Sequence, residues 1–291
     1  MRASAGEAAP AQEPSSDPLS EALLDARSRV APFRDSAFKK FVRLNRRATS
    51  WIERHVPAAR NSMPALSARY VALVIEAYRS RPGSVLVDVG GGPRSVFARD
   101  MTAEELGRVV STDVTPHELK ENGDVKQKLV CDASTALPLA GESAGVIVSS
   151  WVMEHLPDVP AFIAEGMRVL QPGGYFVHLL PSRNAPFAVV NRLIPNWLTK
   201  RILLALKATP DEHVAGYPAV YDRCTPTELR RSLEAEGFVV ERLDVGFYQS
   251  HYYDFFTPAY LASVAYDSVV HAAGRKGLAS YVLVVARKPA R

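Results

Sequence analysis

Short apolar runs alternate with longer amphipathic segments over most of residues 84–291. The runs are rich in Val, Ile and Leu, which is typical of strands buried on both faces of a parallel sheet. The predicted strands are 84–89, 108–113, 128–132, 145–150, 175–180, 238–243 and 280–286. Because strands alternate with helical segments, the pattern predicts an α/β fold made of βαβ units, with a mostly parallel sheet.

Several of the helical segments begin with recognisable start signals. Residues 115–118 (Thr-Pro-His-Glu) and 225–228 (Thr-Pro-Thr-Glu) both match a capping box with proline at the first helical position. Asp158 precedes a third predicted helix, and Gly237 follows the helix that begins near residue 226. A further helix is predicted over residues 96–101.

The first 83 residues differ from the alternating part. Residues 1–30 are rich in Ala, Pro, Ser and Glu, and this composition predicts a disordered segment. Residues 31–83 are predicted to form a helical extension, with helices near 35–57 and 65–80. The helix at 36–56 is amphipathic and basic, so it is either a solvated outer face or a surface that contacts an anionic membrane or partner.

Composition narrows the class of protein. The 291 residues are 47% hydrophobic, enough for a large core, and the formal net charge is +4. The two cysteines, Cys131 and Cys224, cannot form a disulfide framework and show no metal-ligand spacing, so no metal site is expected. Neither a signal peptide nor an apolar run of about 20 residues is evident, which predicts a cytoplasmic protein.

Three successive predicted strands end in carboxylates, at Asp88, Asp113 and Asp132, and three glycines follow the first of them. Ligands of open parallel sheets bind beyond the carboxyl ends of the strands. An acid that closes the second strand is placed to accept hydrogen bonds from ribose hydroxyls. The sequence therefore predicts a nucleoside site at this edge of the sheet.

The glycine turn does not match a dinucleotide fingerprint. That fingerprint has the form Gly-x-Gly-x-x-Gly, whereas Ser95 occupies the place of the third glycine here. Asp88 lies on the strand ahead of the glycines, which suits a ligand bearing an ammonium group better than a pyrophosphate. A nicotinamide-dependent oxidoreductase is thus the less favoured alternative.

Residues 84–291 resemble a class I S-adenosylmethionine-dependent methyltransferase of the group called methyltransferase type 11. The similar segments are 88–92 (Asp-Val-Gly-Gly-Gly), 137–143, 150–156 (which contains Glu-His-Leu) and 168–174 (Arg-Val-Leu-Gln-Pro-Gly-Gly). The resemblance implies a Rossmann-like, seven-stranded sheet that ends in an antiparallel hairpin, and S-adenosylmethionine as cofactor. The cofactor-binding positions it implies are Asp88, Gly90, Gly91, Gly92, Asp113, Val114, Asp132, Ala133 and Ser149.

Two positions depart from the family pattern. Arg94 stands where the third glycine of the turn is usual, and Gly145 stands where an aspartate commonly begins the fourth strand. Neither changes the three carboxylates, so cofactor binding remains the expectation.

Residues 182–222 interrupt the alternation and are expected to form a lid insertion over the acceptor. Their apolar and basic composition favours a small hydrophobic or amphiphilic acceptor. Residues 182–207, or the basic helix at 36–56, are the candidates for peripheral membrane contact. The alternative for the insertion is a helical cap packed on the core. His155 is the candidate general base, or else a structural histidine. A nucleic-acid acceptor is disfavoured, because 149–152 (Ser-Ser-Trp-Val) lacks the sequence of adenine amino-methyltransferases.

The oligomeric state and the identity of the acceptor are left open by the sequence. A methyltransferase-like binding protein without catalytic activity is the second alternative to an enzyme. The two are distinguished by whether methyl transfer to a small molecule accompanies cofactor binding.

Overall fold

A computed structural model describes residues 36–56, 62–194 and 218–290 of the chain. Its centre is a seven-stranded sheet in the order β3-β2-β1-β4-β5-β7-β6. The strands are β1 (Val85–Val89), β2 (Val109–Asp113), β3 (Gln127–Val130), β4 (Ala144–Ser150), β5 (Leu170–Pro181), β6 (Val239–Gly246) and β7 (Tyr281–Arg287). The first five strands pair in parallel, and β7 is antiparallel to both β5 and β6. The mostly parallel sheet with a C-terminal antiparallel hairpin is confirmed.

Helices cover both faces of this sheet. Among the described residues they are α1 (Ser36–His55), α2 (Met63–Arg79), α3 (Ala103–Leu106), α4 (Pro116–Glu121), α5 (Val159–Val169), α6 (Pro186–Leu193), α7 (Pro226–Ala235) and α8 (Thr257–Ala272). Successive β1 side chains point to opposite faces, so Val87 joins a core with α5 and α7, whereas Leu86 joins a core with α2. The two cores fix the sheet between its helical layers.

The helix predicted at 96–101 is wrong. Only one 3-10 turn, Ala98–Asp100, forms there. A new helix, α3, begins directly afterwards at a capping box in which Thr102 and Glu105 exchange hydrogen bonds. The completely buried Phe97 anchors the chain in the core just before this turn. The local cap at Thr102 thus restarts the helix and prevents a longer one.

The predicted caps have different outcomes. Asp158 caps α5 by accepting from the Ala161 N–H, and Thr225 caps α7 by accepting from the Glu228 N–H. The capping box at Thr115 does not form, because the threonine hydroxyl makes no cap hydrogen bond. The Thr115 N–H instead donates to Oδ1 of Asp113, at 2.9 Å. The carboxylate that closes β2 is near enough to satisfy this N–H directly.

Gly145 departs from the family pattern for a steric reason. A Cβ at this position would collide with the side chain of Ser84, which lies just before β1. Ser84 is held there by its hydroxyl, which donates to the carbonyl oxygen of Arg81 at 2.7 Å. An aspartate at the start of β4 would therefore require this neighbouring turn to move.

Some of the predicted segments lie wholly or partly outside the described residues, including residues 31–35 and 57–61 of the helical extension. They also include residues 1–30 and the part of the lid insertion at 195–217, which contains Lys200, Arg201 and Lys207. The predicted helical extension is represented by α1 and α2, and the beginning of the insertion by α6. Within the described ranges, the helices are all too short or too polar to cross a bilayer.

Candidate functional site

The turn after β1 needs glycine at each of its three positions for a specific reason. Gly90 and Gly92 have φ values of +67° and +51°, a region that disfavours residues with a Cβ. At Gly91, a Cβ would collide with Oγ of Ser111 and lie 2.8 Å from Oδ2 of Asp88. The turn therefore requires residues without a Cβ at all three positions, which is also what close approach of its backbone to a ligand would need.

One side chain that the sequence reasoning did not single out, that of Asn122, supports the turn. Asn122 is 1% exposed, and its Nδ2 donates to the Gly92 carbonyl oxygen at 3.1 Å. Its Oδ1 accepts from the backbone N–H groups of Asp124 and Val125. The signal in the sequence is an asparagine between α4 and β3, a residue type that commonly bonds backbone groups in turns.

The Asp88 carboxyl is buried directly beneath the turn. It is 5% exposed, and Oδ2 accepts from the Ser95 hydroxyl at 2.7 Å. Burial and, to a smaller extent, the negative charge of Asp113 raise the pKa of Asp88 from 3.8 to about 7. The Ser95 hydrogen bond acts in the opposite direction. A cationic group placed at this carboxyl would favour the ionised form and be bound by it.

Asp113 connects the turn to the end of β2. Its Oδ2 accepts from the Gly92 N–H at 3.2 Å, and its Oδ1 accepts from the Thr115 N–H at 2.9 Å. Asp132, beyond β3, is exposed, and its Oδ1 accepts from the N–H and the hydroxyl of Ser134. Because β1, β2 and β3 are parallel neighbours, the structure brings the three predicted acids to one edge of the sheet.

The remaining predicted cofactor positions, Val114, Ala133 and Ser149, differ in how deeply they are buried. Val114 is 52% exposed, whereas Ala133 is buried. Ser149 is completely buried, and its hydroxyl is 2.6 Å from Nδ1 of His178 on β5. Burial lowers the pKa of His178 to about 3, so this pair is neutral. The Ser149 side chain belongs to the core, and a ligand contact at this position would have to come from its backbone.

Aromatic side chains gather on the other side of the turn, beyond β4. Trp151 has a φ of +62°, and its ring packs edge-on against Tyr281 at 5.8 Å between centroids. Phe187 of α6 stacks on Tyr252 at 4.1 Å. A non-glycine residue held at positive φ is strained by about 1–3 kcal/mol, and such residues concentrate at functional sites. The chain after β4 is therefore held in place by tertiary packing.

Glu154 is a second buried carboxyl, which the sequence reasoning passed over in favour of its neighbour His155. It is 4% exposed, and burial raises its pKa from 4.5 to about 8. Within the described part of the chain, its Oε2 has no hydrogen-bond partner. A buried, unpaired carboxyl oxygen is unfavourable unless a ligand or water satisfies it. The detectable signal is an acid in a short segment whose other residues, apart from His155, are the apolar Val152, Met153 and Leu156.

His155 is more accessible than Glu154. Its side chain is 33% exposed, and its Nε2 lies 3.8 Å from Oε1 of Glu154. Its Nδ1 is 3.2 Å from the Pro218 carbonyl oxygen, so the tautomer with a proton on Nδ1 can donate there. Burial lowers the pKa of His155. The structure thus places the predicted general base beside a carboxyl that is better enclosed.

Comparison with known proteins agrees with this geometry. Residues 87–178 match the family described as "Methyltransferase domain". An uncharacterized methyltransferase of Mycobacterium ulcerans is 36% identical over 99 residues, which are 33% of this chain and 38% of that protein. The arsenite methyltransferase of Halobacterium salinarum is 30% identical over 156 residues, 48% of this chain and 38% of that protein. The chain thus matches less than half the length of these relatives.

Among solved structures, geranyl diphosphate methyltransferase in complex with S-adenosylmethionine superimposes with a TM-score of 0.51 at 16% identity. The superposition covers 76% of this chain and 85% of that one. At this identity the likeness concerns the fold, and it confirms the predicted Rossmann-like architecture. The glycine turn, the strand-end acids and the match over residues 87–178 confirm that this part of the chain is similar to class I methyltransferases, a family whose cofactor is S-adenosylmethionine.

Proposed function

We propose that the protein transfers a methyl group from S-adenosylmethionine to a small hydrophobic or amphiphilic acceptor. The observation that carries the proposal is the position of Glu154 and the aromatic residues relative to the glycine turn. A Cβ at Gly90 would collide with the side chain of Val152, so the turn directly contacts the segment that carries Trp151 and Glu154. A cofactor over the turn and an acceptor beside this segment would be neighbours.

The residues of the turn fit the cofactor. Because Gly91 has no Cβ, the turn packs directly over the buried Asp88 carboxyl, which suits the ammonium group of the cofactor. Asp113 would accept from the ribose hydroxyls with its remaining lone pairs, and Asp132 would reach the adenine amine. When bound, the cofactor supplies an electrophilic methyl group on a sulfonium.

Aromatic side chains of this chain indicate the class of acceptor. The named substrates of the similar proteins, arsenite and geranyl diphosphate, have little in common, and the family match covers mainly the cofactor half. Trp151, Phe187, Tyr252 and Tyr281 form an aromatic group next to the segment after β4. Such side chains bind flat or aliphatic ligands, and a few polar groups among them fix orientation.

Glu154, beside this aromatic group, can accept or donate a proton near neutral pH. With a pKa of about 8, its carboxyl is largely protonated at neutral pH and becomes a base as the pH rises. An acceptor hydroxyl at Glu154 could hydrogen-bond to Oε2 and, above pH 8, lose its proton to it. His155, closer to solvent, would then pass the proton outwards. The chain would thereby orient and activate the acceptor, and orientation alone can supply roughly 7–11 kcal/mol of barrier lowering.

The proposal is tested in two steps. Calorimetric titration with S-adenosylmethionine and with NAD should show micromolar binding of the first and no binding of the second. Incubation with labelled cofactor and a panel of phenols, quinols and prenylated alcohols should then label at least one compound, and Glu154→Gln should reduce that labelling. Cofactor binding with no methyl transfer to any panel member would favour the non-catalytic alternative, and binding of NAD alone would contradict the proposal.

A further inference from the structure

Helix α1 is held against the rest of the protein by one of its faces. Val42 and Thr49 on that face are buried, and the Thr49 hydroxyl donates to the Asp254 carbonyl oxygen at 3.3 Å. Oδ1 of Asn45 accepts from the N–H of Thr257 at the start of α8, at 2.9 Å. Arg46 pairs with the Asp254 carboxylate at 3.1 Å. These contacts fix the rotation of α1 about its axis and therefore fix which residues point outwards.

The outward face of α1 is apolar at its centre. Leu44 is 68% exposed and Trp51 is 57% exposed, and they lie seven residues, about two turns, apart. Phe41 is 47% exposed, and its ring centroid is 6.4 Å from that of Phe256, which is 42% exposed. Four large apolar side chains are thus presented outwards by α1 and by the residue that precedes α8.

Basic residues flank these apolar side chains at regular helical spacing. Lys40 and Arg47 lie four residues before and three residues after Leu44, and Arg47 and Arg54 hold the same places around Trp51. These three basic side chains are exposed. The whole helix has six Lys and Arg residues and one acidic residue, Glu53. The outward surface is therefore apolar along one line and cationic along the next.

We infer that this surface of α1 docks on an anionic lipid membrane. A tryptophan and a leucine beside regularly spaced Lys and Arg match an interfacial helix, in which the rings and aliphatic chains enter the headgroup boundary and the cations contact lipid phosphates. A nucleic acid would satisfy the cations but would give Leu44 and Phe41 nothing apolar to contact. The positive charge favours an anionic leaflet over a neutral one.

The docking surface lies next to the candidate acceptor site. Ile52 of α1 and Tyr253 both pack against the cluster that Tyr260 and Val264 form on α8. Tyr253 belongs to the same 3-10 turn, Ser250–Tyr253, as Tyr252, which stacks on Phe187. A membrane bound to α1 would therefore adjoin the aromatic group, where an amphiphilic acceptor could enter. Docking itself does not depend on methyl transfer, so the two proposals can fail separately.

Sedimentation of the full-length protein with lipid vesicles tests the inference. The parent should sediment with vesicles that contain phosphatidylglycerol and much less with pure phosphatidylcholine. Leu44→Glu/Trp51→Glu should weaken binding at least about tenfold, because it removes the inserted side chains and adds repulsion. Lys40→Gln/Arg47→Gln should also weaken it roughly tenfold or more, at about 1 kcal/mol for each basic residue near an anionic surface.

The matched control is Val269→Glu, which changes a 69% exposed apolar residue of α8 outside this surface. It should bind like the parent, and binding by the parent should fall as salt shortens the Debye length from about 10 Å at 0.1 M to about 3 Å at 1 M. All the changed residues point outwards, so circular dichroism and melting temperature should not change. Absence of binding to either vesicle, equal binding to both, or unaltered binding by the two α1 variants would overturn the inference.

Discussion

The Ser95 hydroxyl donates a 2.7 Å hydrogen bond to Oδ2 of Asp88, beneath the glycine turn. This bond stabilises the ionised carboxyl and opposes the effect of burial on its pKa. Ser95, which stands in place of the third glycine of a dinucleotide fingerprint, thus donates a hydrogen bond to a carboxylate of the candidate cofactor site. The Ser95–Asp88 pair leads directly to an experimental expectation.

Ser95→Ala should raise the pKa of Asp88 above about 7, since the bond that lowers it is lost. A cationic cofactor requires the carboxylate, so at pH 7 its affinity should fall several-fold, and the pH at which affinity is half-maximal should move upwards. Titration calorimetry between pH 6 and pH 9 measures both. Ser143→Ala, in the loop before β4, is the control; identical pH profiles for the parent and Ser95→Ala would show that the bond does not tune Asp88.

Asp113→Ala should weaken S-adenosylmethionine binding by about 10²-fold, because two charge-assisted hydrogen bonds are each worth roughly 1.5–3 kcal/mol. The structure adds an effect on stability, since the Gly92 and Thr115 N–H groups both lose their acceptor. Asp113→Asn retains one oxygen and the side-chain shape, so it should fold better while still binding weakly. An unchanged dissociation constant for a folded Asp113→Asn would remove the ribose assignment.

Gly91→Ala should abolish detectable cofactor binding and lower the melting temperature, because the new methyl group would collide with Ser111 and crowd Asp88. Gly123→Ala is the matched control, since a Cβ there meets no atom within 4 Å. The control should be neutral or slightly stabilising. Equal melting temperatures and equal affinities for the two variants would mean that the turn does not pack against Ser111 and Asp88 as described.

Glu154→Gln should flatten the dependence of stability on pH. The folded-state pKa of Glu154 is about 8 against 4.5 for the free group. The folded protein therefore holds a proton that the unfolded chain releases, and stability falls as pH rises between these values. Asp88 acts in the same direction between 3.8 and about 7, so the slope should shrink but not vanish.

Urea unfolding of the parent and Glu154→Gln at pH 4, 6 and 8 measures this effect. The two proteins should be similar at pH 4, and Glu154→Gln should be the more stable at pH 8. Glu104→Gln, at a side chain that is 82% exposed, is the control and should follow the parent. Parallel curves for the parent and Glu154→Gln would show that the carboxyl is not buried in solution.

The sheet and its strand-end acids could be predicted because they depend on local pattern. A run such as 85–89 followed by glycines identifies a buried strand and its turn without knowledge of the partners. The hydrogen bond of the Thr115 N–H could not be predicted correctly. A capping box would use the Glu118 carboxylate as its acceptor, but the structure places Oδ1 of Asp113 2.9 Å away.

Glu154 was missed for a different reason. Its backbone carbonyl accepts from the N–H groups of Val220 and Tyr221, more than 60 residues further along the chain. Burial raises the pKa of the carboxyl, and residues 150–156 alone show only an acid with apolar neighbours, not the distant segments that help to bury it. The His155 assignment followed residue type, whereas enclosure singles out the residue beside it.

The sheet has two functional halves, which meet where β1 pairs with β4. On one side, β1, β2 and β3 carry the three carboxylates; on the other, β4 leads to Glu154, and the chain that follows supplies the aromatic group. The halves are joined along the whole of β1 by its pairing with β4, and just beyond this pairing Gly90 lies close to Val152. An engineer who seeks a different acceptor would therefore change side chains of the aromatic group, such as Phe187 and Tyr252, and keep Val152 and the register of Leu86 with Val146.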